Sequence, residues 1–222
     1  RIGSIEDLDS DIIPELAVFL SHRLPRCDFL FHNGVSAAIV DQLRDRQLDL
    51  GITASPDERL RDLQDRPLLR DPFVVVLRVG EDHALRDVVE GRSPLPFLRF
   101  AGNLMISRQI EGQLKRLRWA TSHRFECSNN QTLMAMVAAG AGWTITTPLL
   151  FARARRFRSQ LRMHPVPGKS FARTLSLLAT PDCADPIVDM VDARVRKLIC
   201  EHAITPMLAS TPWLADRFVL LK

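Results

Sequence analysis

The stretch SNNQTLMAMVAAGAGWTITTP, residues 128–148, decides the fold. Ser128 followed three residues later by Gln131 predicts a capping box, in which each side chain serves the other residue's free backbone N–H. Leu133, Met136 and Val137 place apolar groups on one helical face. Gly140 supplies the left-handed turn that ends a helix. Residues 142–146 return as a short strand, which Pro148 stops. A polar helix start followed by a glycine-turned strand suits a small polar ligand that is held and not transformed, which points to a sensor.

The same alternation of strand and helix runs outward in both directions. Upstream, 1–5 reads as strand, and Ile12, Ile13, Leu16, Phe19 and Leu20 recur at helical spacing until Pro25. Pro14 is tolerable only near a first turn, so that helix is predicted to start within 8–11. Strands follow at 27–32 and 48–53, with a helix between them carrying Val35, Ile39, Val40 and Leu43. Residues 54–66 read as an exposed loop. The run PFVVVL within 67–77 is that of a strand covered on both faces.

Strands are predicted at 97–100, 123–127, 161–166 and 174–180, with a helix at 106–119. Asp185 and Pro186 mark a helix start, Asp as cap and Pro at the first helical position. The tail after Pro206 carries Trp213, Phe218, Val219, Leu220 and Leu221 and is expected to be docked, since exposing them would invite association. The alternation argues for mostly parallel sheets with helices on both faces. Breaks near 78–92 and 167–173 suggest a second α/β lobe inserted into the first, with a cleft at the strands' C-terminal ends.

Composition excludes several classes. With 46% hydrophobic and 25% charged residues the chain is an ordinary globular one. No apolar run approaches the roughly 18 residues that span a bilayer, so no membrane partner is expected. The net charge of +4 is mild, and a nucleic-acid module would carry a denser basic stripe. Arg153, Arg155, Arg156 and Arg158 read as a solvated loop, the alternative being contact with an acidic partner or DNA. Cys27, Cys127, Cys183 and Cys200 lack the paired spacing of a zinc site, and no metal or cofactor is expected. Six scattered histidines, with no GxSxG, GxGxxG or P-loop, give catalysis no support.

Four segments carry a family likeness in this order: RIGSIEDLDSDIIPEL, LDLGIT, PLLRDPFVVVLRVGEDHAL and NNQTLMAMVAAGAGWTITTP. Together they resemble the effector-binding domain of LysR-type transcriptional regulators, from residue 1 to about residue 202. The resemblance implies an α/β architecture of two Rossmann-like lobes with a hinge, the periplasmic-binding-protein type 2 fold. Lobe I would comprise 1–78 and 172–204, lobe II 79–171, and 205–222 a C-terminal tail. It further implies a cytoplasmic homodimer or homotetramer, assembled side by side through the helix after Ile5 and that of 35–46. A winged helix-turn-helix N-terminal to this chain would bind DNA. A small-molecule effector would occupy the interlobe cleft, with no enzymatic activity.

Carried over by position, the effector contacts would be Ser4, Glu6 and Asp7; Gly34 and Val35; Ser107 and Arg108; and Ser128, Asn129, Thr146 and Thr147. The residues themselves also admit plainer roles. Asp7 would cap the first helix, Ser107 and Ser128 would be N-caps, and Arg108 an exposed first-turn arginine. Two departures stand out. Asp7 and Val35 occur where many members place a hydroxyl, and Glu6, Asp7 and Asp9 make this start acidic. An acidic wall would repel a carboxylate, so the expectation is a neutral or amphoteric effector. The alternative function is a free-standing solute-binding protein of a transporter, and the residues upstream of Arg1 discriminate: a helix-turn-helix or an export signal. An enzyme of the same fold ranks third.

Overall fold

The structure, a computed structural model, describes every residue except 56–59, 82, 120, 122 and 169. In chain order the first elements are β1 (Ile2–Ser4), α1 (Ile12–Arg23), β2 (Phe31–Asn33), α2 (Ser36–Arg44), β3 (Leu50–Ala54), β4 (Gln64–Pro72), β5 (Val74–Arg78) and α3 (Leu85–Val89). Next come β6 (Phe97–Phe100), α4 (Met105–Leu117), β7 (His123–Cys127), α5 (Asn130–Ala138), β8 (Thr144–Thr146), α6 (Pro148–Arg153) and β9 (Leu161–Pro165). The chain closes with β10 (Ala172–Ala179), α7 (Asp185–Ile199), α8 (Thr205–Ser210) and β11 (Val219–Leu220).

Two compact units emerge: Arg1–Asp71 with Arg173–Lys222, and Pro72–Ala172. The first unit holds a six-stranded sheet in the order β11-β4-β10-β3-β1-β2. β1 runs parallel to β2 and β3, whereas β10 is antiparallel to β3 and β11 antiparallel to β4. In the second unit β5 lies antiparallel between β8 and β9, and β6 pairs in parallel with β7. The first unit's sheet is therefore mixed, and the sheets as a set are not mostly parallel. The reason is that β10 returns into the sheet beside β3 from a long excursion, so the direction rule for a short crossover does not bind it.

Local chemistry explains most of the elements. Val74, Val75 and Val76 are fully buried, as a strand covered on both faces must be. The extended chain breaks at Phe73, separating β4 from β5, and the Phe73 ring stacks 4.5 Å from that of Phe171. Pro14 sits in the first turn of α1, where its missing N–H costs no hydrogen bond. Trp143 is 1% exposed, its ring 4.8 Å from Phe97. Such an aromatic pair contributes about 0.5–1.5 kcal/mol beyond its burial.

The end of α5 is a Schellman turn. The Gly140 N–H donates to the Val137 carbonyl and the Ala141 N–H to that of Met136, with Gly140 at φ 82°. Pro148 does more than stop a strand: with Thr147 as N-cap it opens α6. The arginine stretch expected as a loop is the end of α6 followed by a 3-10 turn at Arg155–Gln160. Asp185 is the first residue of α7 and not its cap, a position held by Ala184. The tail is docked on the first unit, with Phe218 and Leu214 fully buried and β11 extending the sheet edge at β4.

Candidate functional site

The helix start of the opening stretch is built one residue later than its spacing predicts. Asn129, and not Ser128, caps α5: its side chain accepts from the Thr132 N–H at 3.1 Å. Gln131 does not complete a capping box, because its amide donates to the Arg153 carbonyl at 2.7 Å. Ser128 is left exposed. The shift follows from Asn130, which turns inward and donates to the Leu150 carbonyl at 3.0 Å. An Asn caps as well as a Ser, so the helix loses nothing by starting there.

This bond joins α5 to α6. Thr147, fully buried, caps α6 by accepting from Leu150 N–H, so both backbone groups of Leu150 are held by side chains. On β8, Thr144 donates to the Leu98 carbonyl at 2.7 Å. The neighbouring Thr146 has no such outlet. Its hydroxyl oxygen is buried with no hydrogen-bond partner among the described residues, and so is the carbonyl oxygen of the Asn130 side chain. A buried polar atom without a partner costs about 1–3 kcal/mol. These two atoms, Thr146 Oγ1 and Asn130 Oδ1, are unsatisfied groups of the segments that precede and hold α6.

The other second-unit candidates behave differently. Ser107 is not an N-cap; Leu104 holds that position, and the buried Ser107 hydroxyl donates to the Phe100 carbonyl at 2.8 Å. Arg108 is exposed in the first turn of α4 and donates to the Asn103 carbonyl at 3.2 Å.

In the first unit the acidic start is internally satisfied. Asp7 does not cap a helix: it lies inside the 3-10 turn Glu6–Leu8, whose N-cap is Ile5, and Asp11 stands at the N-cap of α1. The Asp7 carboxylate meets Arg173, whose Nη2 also lies 2.8 Å from Asp71. Asp9 accepts from Ser4 Oγ at 3.2 Å and from the Asn33 side chain. Burial acts to lower the Arg173 pKa, but the attraction of Asp7 and Asp71 and their hydrogen bonds outweigh it, and the pKa is raised. Asp7 and Asp9 of the predicted acidic wall thus have donors within their own unit, although only Asp7 is paired with a cation. Glu6 lies in the same 3-10 turn. Gly34 N–H donates to the Ser4 carbonyl at 3.0 Å, and Val35 stands at the N-cap of α2, half exposed.

Sequence reasoning missed a set of first-unit hydroxyls. Ser36 Oγ accepts from Ala54 N–H at 3.1 Å, Ser55 and Ser176 meet at 2.6 Å, and the buried Thr53 hydroxyl has no partner among the described residues. Alternation along LGITA places Thr53 on the face opposite Ile52, but nothing local shows which face is lined with hydroxyls.

Against this geometry, comparison with known families gives a definite match: residues 1–189 fit the family described as LysR substrate binding domain. The chain belongs to that family. A curated relative of this LysR domain, described as the uncharacterized HTH-type transcriptional regulator YfeR of Shigella flexneri, is 24% identical over 157 residues, 67% of this chain. The chain spans about half of that relative's length, 49%.

Three solved structures share the LysR domain's fold. The reduced regulatory domain of OxyR2 from Vibrio vulnificus aligns with a TM-score of 0.70 at 18% identity, covering 89% of this chain and 93% of that one. A reduced form of OxyR from N. meningitidis aligns at 0.71 and 15% identity, covering 100% and 98%. The effector binding domain of QuiR in complex with shikimate aligns at 0.69 and 15% identity, covering 91% and 97%. These neighbours are LysR-type regulatory domains of the two-lobed, periplasmic-binding-protein-like fold. Among the described residues no helix is long and apolar enough to cross a membrane.

Proposed function

We propose that this LysR substrate-binding domain senses a small-molecule effector for a transcription regulator. DNA would be bound by a winged helix-turn-helix outside this chain, and the regulator would act in the cytoplasm as a homodimer or homotetramer. The effector would be bound and released without chemistry. Its binding would shift the population of domain arrangements that the DNA-binding modules follow. The observation that carries the reading is the buried Thr146 hydroxyl without a partner among the described residues, next in sequence to the capping Thr147, with the side-chain oxygen of Asn130 likewise unsatisfied. The likeness to QuiR, solved with shikimate, supports a small organic molecule as the ligand.

Asn129, Thr146 and Thr147 are the contacts favoured in the second unit, with Ser128 and Arg108 as exposed contributors. Ser4, Gly34 and Val35 are the candidates in the first unit. Asp7 is engaged by Arg173, so its charge is no ground for excluding a carboxylate effector.

The test is a thermal-shift screen of amino acids, aromatic acids and small hydroxylated metabolites, repeated on Thr146→Val. Valine keeps the volume and removes the unpaired hydroxyl, so the ligand-free variant is expected to be as stable as the parent or more so. Loss of the ligand-induced shift in that variant supports the site. An unchanged shift in Thr146→Val, and in Ser128→Ala with Arg108→Ala, sinks it. A monomer by light scattering at high concentration would count against the dimer.

A further inference from the structure

The second unit carries a cavity that the proposed effector site does not use. Its lining includes Phe97, Leu114, Lys115, Arg118 and Trp119, and its volume is about 330 Å³. That volume is within the range of small-molecule sites. Phe97 and Leu114 form a buried apolar floor, and Trp119 supplies a half-buried aromatic wall. Arg99 and Glu111 also line it, paired with each other at 3.2 Å, and Glu126 lies 2.7 Å from Arg99.

The charges at this cavity are unbalanced. Residues 72–172 contain 15 Lys and Arg against 6 Asp and Glu, whereas the first unit contains 15 against 20. The few second-unit carboxylates are mostly committed: Asp87 and Glu90 to Arg86 and Arg92, Glu111 and Glu126 to Arg99. Among the described residues, Lys115 and Arg118 have no carboxylate partner. They stand beside the indole of Trp119 at the end of α4. Arg118 occupies the left-handed position that ends α4, at φ 55°, where a glycine would be unstrained.

We propose that this cavity is a second small-molecule site, for an amphipathic aromatic anion such as an aryl carboxylate. The ring lies on Phe97 and Leu114 against Trp119, and the carboxylate meets Lys115 and Arg118. An apolar floor with an aromatic wall selects a flat ring. The one lining carboxylate among the described residues, Glu111, is paired with Arg99, so Lys115 and Arg118 select a negative charge over a neutral group. The site is distinct in residues from the Thr146 and Asn130 junction, and its occupancy is independent of that reading.

The experiment titrates the intact domain with 1-naphthoate, reading the Trp119 indole N–H by nitrogen-15 NMR, with Trp143 and Trp213 as internal references. Trp119→Phe assigns the resonance. A saturable Trp119 shift is expected, with 1-naphthalenemethanol binding more weakly. Lys115→Gln combined with Arg118→Gly should weaken 1-naphthoate about fivefold or more, while leaving the alcohol's affinity unchanged. The glycine relieves the left-handed strain, so this variant keeps its fold, checked by circular dichroism. Thr146→Val should leave the Trp119 shift intact. Absence of a saturable Trp119 shift, equal binding by the charge variant, or loss of the shift in Thr146→Val would each overturn the proposal.

Discussion

Arg173 and Asp71 form a buried, two-pronged ion pair: Nε lies 3.0 Å and Nη2 2.8 Å from the same carboxylate oxygen of Asp71. Asp7 closes on the same guanidinium. Asp71 ends the first passage of the chain through the first unit, and Arg173 opens the second. The pair thus joins the two points at which the chain leaves that unit and re-enters it.

The stoichiometry of this group predicts an order of mutational effects. Two carboxylates share one guanidinium, so Arg173→Met leaves both buried without that cation and is expected to cost about 3–5 kcal/mol. Arg173→Lys should recover only part of this, since an ammonium cannot reproduce the fork. Asp7→Asn leaves a neutral Arg173–Asp71 pair and should cost less than about 1 kcal/mol. Urea denaturation of the three variants gives the order, and an Asp7→Asn as damaging as Arg173→Met would refute it.

What the sequence revealed and what it hid follow from range. The turn at Gly140, the stripe of α7 and the buried valines of β5 were legible because each is dictated by neighbours within a few residues. The Asp7–Arg173 contact spans 166 positions, and no spacing rule reaches that far. Reading Glu6, Asp7 and Asp9 as an acidic start therefore does not reveal that Arg173 pairs with Asp7. The α5 cap was misassigned by one residue because Ser128 and Asn129 are equally good caps, and only the inward turn of Asn130 decides between them. Thr146 was identified from a resemblance, but that its hydroxyl lacks a partner depends on packing.

The docked tail makes its own prediction. The family match ends at residue 189, yet Phe218 is fully buried in the first unit, and Arg196 donates to the Pro67 carbonyl at 2.6 Å beside the strand that β11 extends. Phe218→Ala should destabilise by about 3–5 kcal/mol, as a large buried side chain does when truncated. Trp213, more than a third exposed, should cost about 1 kcal/mol or less as Trp213→Ala. Equal midpoints in urea would show that the tail is not part of the core.

Two glycines should respond with opposite sign. At Gly142, φ is 155°, and an added methyl would lie 2.2 Å from the Pro96 carbonyl oxygen, a backbone atom. Gly142→Ala is therefore expected to cost about 3 kcal/mol or more. Gly112, within α4, has open space around it, so Gly112→Ala should stabilise by about 0.5–1 kcal/mol. Thermal midpoints moving in the same direction would contradict the assignment.

His164 on β9 predicts a pH dependence. Burial, and then the charge of Arg162, hold its pKa below the ordinary histidine value. Well above the ordinary histidine value of about 6.5 the imidazole is neutral in both folded and unfolded chains and contributes no slope. As the pH falls below that value the unfolded chain takes up the proton first, so stability declines until the lowered native pKa is reached. His164→Gln removes this component. Urea midpoints from about pH 8 to about pH 5.5 should fall less steeply for the variant than for the parent, and parallel curves would show that His164 does not report the burial that lowers its pKa.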